Sequence, residues 1–236
     1  MTNAKVQSNQ FSIWPIYRTL SGIGMACGLL IVGVYLGTAP AIEENRALAL
    51  QQAIFNVLPG TKATQTYRYS LENGGSLILL SEDEAGNATD DLIYAGFDQQ
   101  NKLVGLALQT QGQGYQDVIS ILYGYDPKHQ IIIGMKVLES RETPGLGDKI
   151  EKDTVFINNF KSLDVVLNDK NTDLKHGIEA VKSGQKEAPW QIDGITGATI
   201  SSVAIAQMLD ANVRVWAPRI KANQQKLTKI AGDANE

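Results

Sequence analysis

The stretch Asp193-Gly194-Ile195-Thr196-Gly197-Ala198-Thr199-Ile200-Ser201-Ser202 places one carboxylate and four hydroxyls among three small residues. Downstream, Ile205, Leu209 and Val213 recur every four residues and are joined by Trp216 and Ile220, a spacing that puts one apolar stripe on a helix. Thr199 therefore falls at or near the first turn of that helix. Backbone N–H groups there lack intrahelical acceptors, and the helix dipole favours a negative group. Such a place suits a phosphate, and Gly194, Gly197 and Ala198 let it come close to the backbone. Ser and Thr are equally the preferred caps of ordinary helices, and Gly before them is ordinary turn chemistry. Spacing by itself leaves both readings open.

A second unusual run is Glu139-Ser140-Arg141-Glu142-Thr143-Pro144-Gly145-Leu146-Gly147-Asp148-Lys149-Ile150. Its Glu142–Gly147 part cannot lie inside a strand or helix, because Pro144 has no N–H and Gly145 and Gly147 permit positive φ. The expectation is a shaped loop carrying a carboxylate, a hydroxyl and exposed amides, although Pro-Gly is also common turn chemistry. Gln111-Gly112-Gln113-Gly114-Tyr115 is glycine-rich but precedes a strand, so it is not a dinucleotide fingerprint. It reads either as a close approach to a flat ligand or as a hairpin loop.

Around these runs, 236 residues suffice for one sizeable core with appendages. A balance of 43% hydrophobic and 19% charged residues is that of a globular protein. Net charge is −4 with no basic block, which argues against a nucleic-acid partner. His129 and His176 lie far apart without a Cys or carboxylate cluster, so no metal site is expected. Cys27 is the only cysteine, which excludes an internal disulfide. No catalytic acid–base pair is evident.

Residues 1–18 carry Lys5 and Arg18 and no acid, residues 19–42 carry no charge, and Glu43 and Glu44 follow. The apolar run is long enough for a membrane span and longer than an ordinary signal h-region, so a retained anchor is expected at 19–41. The charge asymmetry places the N-terminus in the cytoplasm and the rest outside. Ile42–Leu58 reads as an amphipathic stalk helix with Ala47, Leu50, Ile54, Val57 and Leu58 on one side, stopped by Pro59-Gly60. Strands are expected over 66–70, 77–81, 91–97, 103–110, 117–125 and 130–138, with turns at Asn73-Gly74-Gly75 and Asp126–His129. With no helix between them, the sheet should be mostly antiparallel, and the fold class α+β with packed helices. A strand at 165–167, a short helix near 177–183 and a core position for Trp190 complete the body. The domain limits expected are 1–18 (cytoplasmic segment), 19–41 (anchor), 42–65 (stalk and linker), 66–221 (body) and 222–236 (polar tail).

The run Asp193-x-x-Thr196-Gly197-Ala198-Thr199 resembles the flavin-attachment motif of the FMN-binding domain family, Asp-x-x-Ser/Thr-Gly-Ala-Thr. The Glu142–Gly147 loop resembles the one that flavin-carrying subunits of Rnf and sodium-pumping quinone reductase complexes present to their flavin. In order and spacing the whole chain looks like the G-subunit family of Rnf ion-translocating electron-transport complexes. The C-subunit family of the sodium-translocating NADH:quinone reductase is next nearest. Two departures are Ser140, where histidine is expected, and Ser201-Ser202, where Thr-Ser is frequent; the motif keeps its hydroxyls.

The resemblance implies a covalent FMN, joined through its phosphate to Thr199 by a flavin transferase that uses FAD as donor. It makes Asp193 the acidic residue the transferase needs, and it places Thr196, Gly197, Ala198 and Ser201 around the phosphate. Glu142, Thr143, Gly145, Leu146 and Gly147 are expected on the ring or ribityl side. The implied function is an electron relay between ferredoxin and NAD within a complex of membrane and peripheral subunits. Its place would be a bacterial inner membrane, single-pass, with the FMN domain in the periplasm. A membrane-anchored assembly module without flavin is the alternative from another class, and a flavoenzyme acting alone is a third. The third would need a titratable residue beside the ring, and none can be named.

Overall fold

A computed structural model describes residues 13–71, 74–81, 84 and 92–233, the side chains of 226 and 228–233 excepted. The chain divides into two compact units, Met1–Leu48 and Ala49–Glu236. Helix α1 (Trp14–Val57) makes up the described part of the first unit and runs on into the second. It is long and apolar enough to cross a membrane by length and composition, with a mean hydropathy of 1.9 in its most apolar window. Sequence patterning predicts an anchor and a separate stalk helix, yet α1 is continuous through Pro40. Proline removes one backbone bond, and the strong helix formers that follow, Glu43 to Leu50, carry the helix onward.

The second unit is built on a sheet of β1 (Ala63–Ser70), β2 (Ser76–Leu80), β3 (Leu92–Phe97), β4 (Leu103–Gln113), β5 (Val118–Asp126), β6 (Ile131–Glu139) and β7 (Leu163–Asp164). Every pairing in it is antiparallel, in the order β2-β1-β3-β4-β5-β6-β7. Consecutive strands pair from β3 to β6 and in β1–β2, while β3 returns to pair with β1 and not β2; the α+β class expected from the sequence holds. Each of the six strands expected between 66 and 138 lies within a residue or so of its place, except that β1 starts earlier and β4 runs on through Gln113. Asp91 and Asn73 lie outside the described residues.

The central strands are buried on both faces. On one face Leu106, Leu108, Ile119, Ile121 and Tyr123 pack with Ile205, Leu209, Val213, Trp216 and Ile220 of helix α3 (Thr199–Asp233). That is the apolar stripe read from the sequence. On the other face Ala107 and Leu122 pack with Ala53, Ile54, Val57 and Leu58 at the end of α1. Glycines on four neighbouring strands make room for that helix end. A Cβ on Gly96 would come within 2.8 Å of a Leu58 methyl, on Gly105 within 2.9 Å of the other, and on Gly134 within 2.8 Å of the Val57 backbone. Gly124 lies against the Val57 carbonyl in the same way.

Three smaller elements surround the site. Helix α2 (Thr154–Asn158) is capped by Asp153, whose carboxylate accepts from the N–H groups of Val155 and Phe156. Strands β8 (Glu179–Val181) and β9 (Gln191–Asp193) pair in parallel. The short helix expected near 177–183 is therefore a strand. Its N-terminal end is held instead by Asp210, which accepts from Ile178 N at 2.7 Å. Leu163–Asp164 pairs with β6, while Leu167, expected in a strand, makes only a bridge to Leu174. Trp190 is half-buried and stacks on the exposed His176 ring at 3.8 Å, so it fills no core. Beyond residue 221 the chain stays in α3: Leu227 is fully buried and Asn223 donates to Gly75 O at 3.0 Å.

Gly134→Ala should force Val57 off the sheet and cost roughly 1–3 kcal/mol, the usual cost of overpacking. Thermal unfolding of the purified chain in detergent should then show a transition several degrees lower.

Candidate functional site

The site grows from the join between β9 and α3. Asp193 ends β9, and its backbone is pinned on both sides by one buried side chain: Asn159 Oδ1 accepts from Asp193 N at 3.0 Å and Asn159 Nδ2 donates to Asp193 O at 3.1 Å. Lys186 also donates to Asn159 Oδ1 at 3.2 Å, and burial lowers its pKa while the Asp193 charge opposes that shift. The Asp193 carboxylate turns back into the fold, accepting from Gly184 N at 2.7 Å and Gln185 N at 3.3 Å. It therefore shapes the loop beside β9 and is not aimed at Thr199.

Between β9 and the helix, Gly194 N donates to Val181 O, and Ala198 N donates to Ile195 O. Gly197 adopts φ +86, the left-handed conformation that a side chain disfavours. The first intrahelical bond is Ser202 N to Ala198 O at 3.0 Å, so Ala198 stands at the cap position. Alanine is a poor cap because it offers no acceptor. The hydroxyls nearby are otherwise engaged: Ser202 Oγ accepts from Ile195 N and donates to Ala198 O, and Ser201 Oγ donates to Glu142 Oε2. Among the described residues no side chain accepts from the N–H groups of Thr199, Ile200 or Ser201. The plain capping reading of the hydroxyl cluster does not account for this arrangement.

The loop after β6 meets this helix start. Glu142 is only 6% exposed, and both its oxygens are used: Oε1 accepts from Gln116 N at 2.9 Å and Oε2 accepts from Ser201 Oγ at 2.6 Å. Two glycines clasp it. A Cβ on Gly114 would lie 2.5 Å from Oε1, and one on Gly147 would overlap Oε2. Thr143 Oγ1 donates to Gln116 Oε1 at 2.8 Å, and Gly145, at φ +79, donates its N–H to Asp148 at 2.6 Å. Lys152, donating to Asp148, holds that carboxyl below its ordinary pKa, and the Gly145 N–H adds to this. The run Gly147–Glu151 closes into a 3₁₀ turn.

Loop, hairpin and helix start enclose a cleft of about 300 Å³, lined by Tyr115, Leu146, Gly147, Gly197, Ala198, Thr199, Ile200 and Ser201. Thr199 is exposed at the first turn of α3. Around it three large apolar side chains face water, with Tyr115 66%, Leu146 50% and Ile200 55% exposed. Lys149 brings a charge to the same place, its ammonium 3.6 Å from where a Gly197 Cβ would sit.

Of the residues that the sequence singles out, Leu146, Gly147, Gly197, Ala198, Thr199 and Ser201 come together at the cleft. Glu142 and Thr143 stand behind it as supports, while Gly145, Thr196 and Asp193 are absent from its lining. Sequence reasoning does not single out Tyr115, Ile200 or Lys149 as ligands. An apolar Ile beside the motif and a lysine two places after Gly147 are the available signals. Among the described residues no cluster of His, Cys, Asp and Glu could hold a metal.

Residues 114–213 match the FMN-binding domain family. The chain is 31% identical over 170 residues to the G subunit of the ion-translocating oxidoreductase complex of Cronobacter sakazakii, covering 71% of this chain and 73% of that one. It is 29% identical over 184 residues to the corresponding protein of Shewanella amazonensis, covering 77% and 78%. The fold is shared with the C subunit of the Na(+)-translocating NADH-quinone reductase from Parabacteroides distasonis, at TM-score 0.57 and 20% identity over 78% of this chain and 96% of that one. NqrC of Shewanella oneidensis shares it at TM-score 0.53 and 20% identity, over 72% and 85%.

Asp193→Ala should free the amides of Gly184 and Gln185 and cost about 1–3 kcal/mol, the cost of losing charge-assisted bonds. Hydrogen exchange at 182–186 should rise well before exchange in the β4–β5 core does.

Proposed function

Because this chain belongs to the G-subunit family of ion-translocating oxidoreductase complexes, we propose that it relays electrons through an FMN joined by a phosphoester to Thr199. The observation that carries this reading is the cap position. Ala198 leaves the first-turn amides of α3 without a side-chain acceptor, beside a Thr hydroxyl at the mouth of a cleft. Free amides and the positive end of a helix dipole suit a phosphate.

The residues present fit the group. The apolar faces of Tyr115, Leu146 and Ile200, left to water, are what a flat flavin ring would cover. Gly197 leaves a gap where a side chain would stand between Lys149 and the helix start, so that ammonium adds to the attraction for an anion. Bound FMN supplies the capacity to accept and release electrons one or two at a time. The protein's part is to hold it, to shield one side of it and to set the field around it.

Attachment needs a donor and an enzyme. A flavin transferase would bring FAD; the Thr199 oxygen bonds to the flavin-side phosphorus, the pyrophosphate bond breaks, AMP leaves and the hydroxyl proton is lost. An ester bond of this kind leaves the flavin ring unaltered and prevents its escape. Asp193 would serve this step through the shape it gives the 184–185 loop.

Helix α1 would anchor the chain in a bacterial inner membrane. Lys5 and Arg18 before the apolar run and Glu43 and Glu44 after it support an orientation with the N-terminus in the cytoplasm, which would leave the flavin domain in the periplasm. The partners would be the other membrane and peripheral subunits of an Rnf-type complex, with electrons passing between ferredoxin and NAD.

The test is flavin fluorescence in a denaturing gel, on protein coexpressed with a flavin transferase. Wild type and Thr196→Val should glow and Thr199→Val should be dark. A dark wild type would favour a flavin-free assembly module.

A further inference from the structure

Glu142 does more than shape a loop. Its carboxylate is buried at 6% exposure, and both groups that donate to it are neutral: the Gln116 amide at 2.9 Å and the Ser201 hydroxyl at 2.6 Å. Among the described residues no cation lies within ion-pair distance of it. The exposed Arg141 beside it in sequence reaches instead toward Asp117 and Glu139, each at 3.6 Å. A negative charge that is buried, hydrogen-bonded and not neutralised acts over a longer reach than one in water. This one touches Gly147 and Ser201, and both of those line the cleft. One residue's thickness separates the charge from whatever fills that space.

The glycine clasp keeps it there. Gly114 and Gly147 lie so close to the carboxylate that a Cβ on either would displace it. The Gln116 and Ser201 hydrogen bonds hold the carboxylate in the space that those glycines leave. Ser201 Oγ points its proton at Oε2 and so draws off part of the charge.

The geometry points to Glu142 and Ser201 as the pair that sets the reduction potential of the cleft's cofactor, the fixed Glu142 charge holding it low and the Ser201 proton moderating that effect. This rests on the reading of the cleft as an FMN site. A fixed anion opposes the arrival of electrons on a neighbouring group, so removing it makes reduction easier. Weakening the hydrogen bond that screens it does the reverse.

The substitution Glu142→Gln is well suited to the place. It is isosteric within the clasp; its amide oxygen can accept from Gln116 N, and its amide nitrogen can donate to Ser201, whose hydroxyl can turn to accept. The experiment is a spectroelectrochemical titration of the flavin on the full chain in detergent, after coexpression with a flavin transferase. The expected result is a midpoint shifted positive in Glu142→Gln and negative in Ser201→Ala. A merely structural role would move both the same way or leave both unmoved, and either outcome overturns the inference. If only one variant takes up flavin, the direction of its shift decides alone. If neither takes it up while wild type does, the pair is scaffold and the inference fails. A wild type without flavin would instead overturn the reading of the cleft itself.

Discussion

A carboxylate removed from water is tolerable only where hydrogen bonds replace those it gives up. Glu142 meets that condition by tying together three segments remote in sequence: the β4–β5 hairpin through Gln116, its own loop after β6, and the first turn of α3 through Ser201. That bond ties the loop that runs on through Gly145–Gly147 to the helix start, alongside the burial of Ile150 in the core shared with α3. With it, Leu146 and Gly147 face Thr199 and Ile200 across one cleft. The glycines at 114 and 147 follow from the same constraint, since each must leave room for the carboxylate. The Pro-Gly-Leu-Gly sequence is thus shaped as much by what lies behind it as by what lies in front.

The sheet supplies the rigid base. Both faces of β4 and β5 are covered, one by α3 and the other by the end of α1. Glycines at 96, 105, 124 and 134 let the α1 terminus sit directly on the strands. The apolar stripe of α3 then fixes where its N-terminus falls, and the Asn159 side chain fixes the incoming β9 strand. Helix start and loop rest on one core, which includes Ile150 and the α3 stripe, and they are joined behind the cleft by the Glu142–Ser201 bond. Sites placed on such rigid elements keep their geometry better than sites carried wholly on loops.

Much of this is legible in the sequence. Hairpin turns and alternating apolar positions locate the six main strands, and four-residue spacing from Ile205 locates α3, because those signals are local. What escapes such reading is tertiary. Nothing local says that Glu179–Val181 will pair with Gln191–Asp193, so a helix is expected where a strand forms. Nothing local says that Leu227 is buried, so a polar tail is expected from 222. Within the site, Thr199 and its small neighbours can be read from type and spacing, but Glu142 and Thr143 cannot be separated from Leu146 and Gly147. Glu142 is buried against Gln116 and Ser201 and the half-buried Thr143 bonds to Gln116, while Leu146 and Gly147 line the cleft. Tyr115 reaches the same cleft from a hairpin whose glycines look like a flexible loop.

The recurring feature is a division of work between satisfied and open polar groups. Ser201, Ser202, Glu142 and Asp193 have their bonds inside the fold, whereas the exposed Thr199 stands beside first-turn amides that face outward. The most direct test is a fragmentation mass spectrum of the 193–202 region from protein matured with a flavin transferase. It should place the mass of FMN less water on Thr199. The same peptide at its unmodified mass, or the addition on Thr196 or Ser201, would contradict the account.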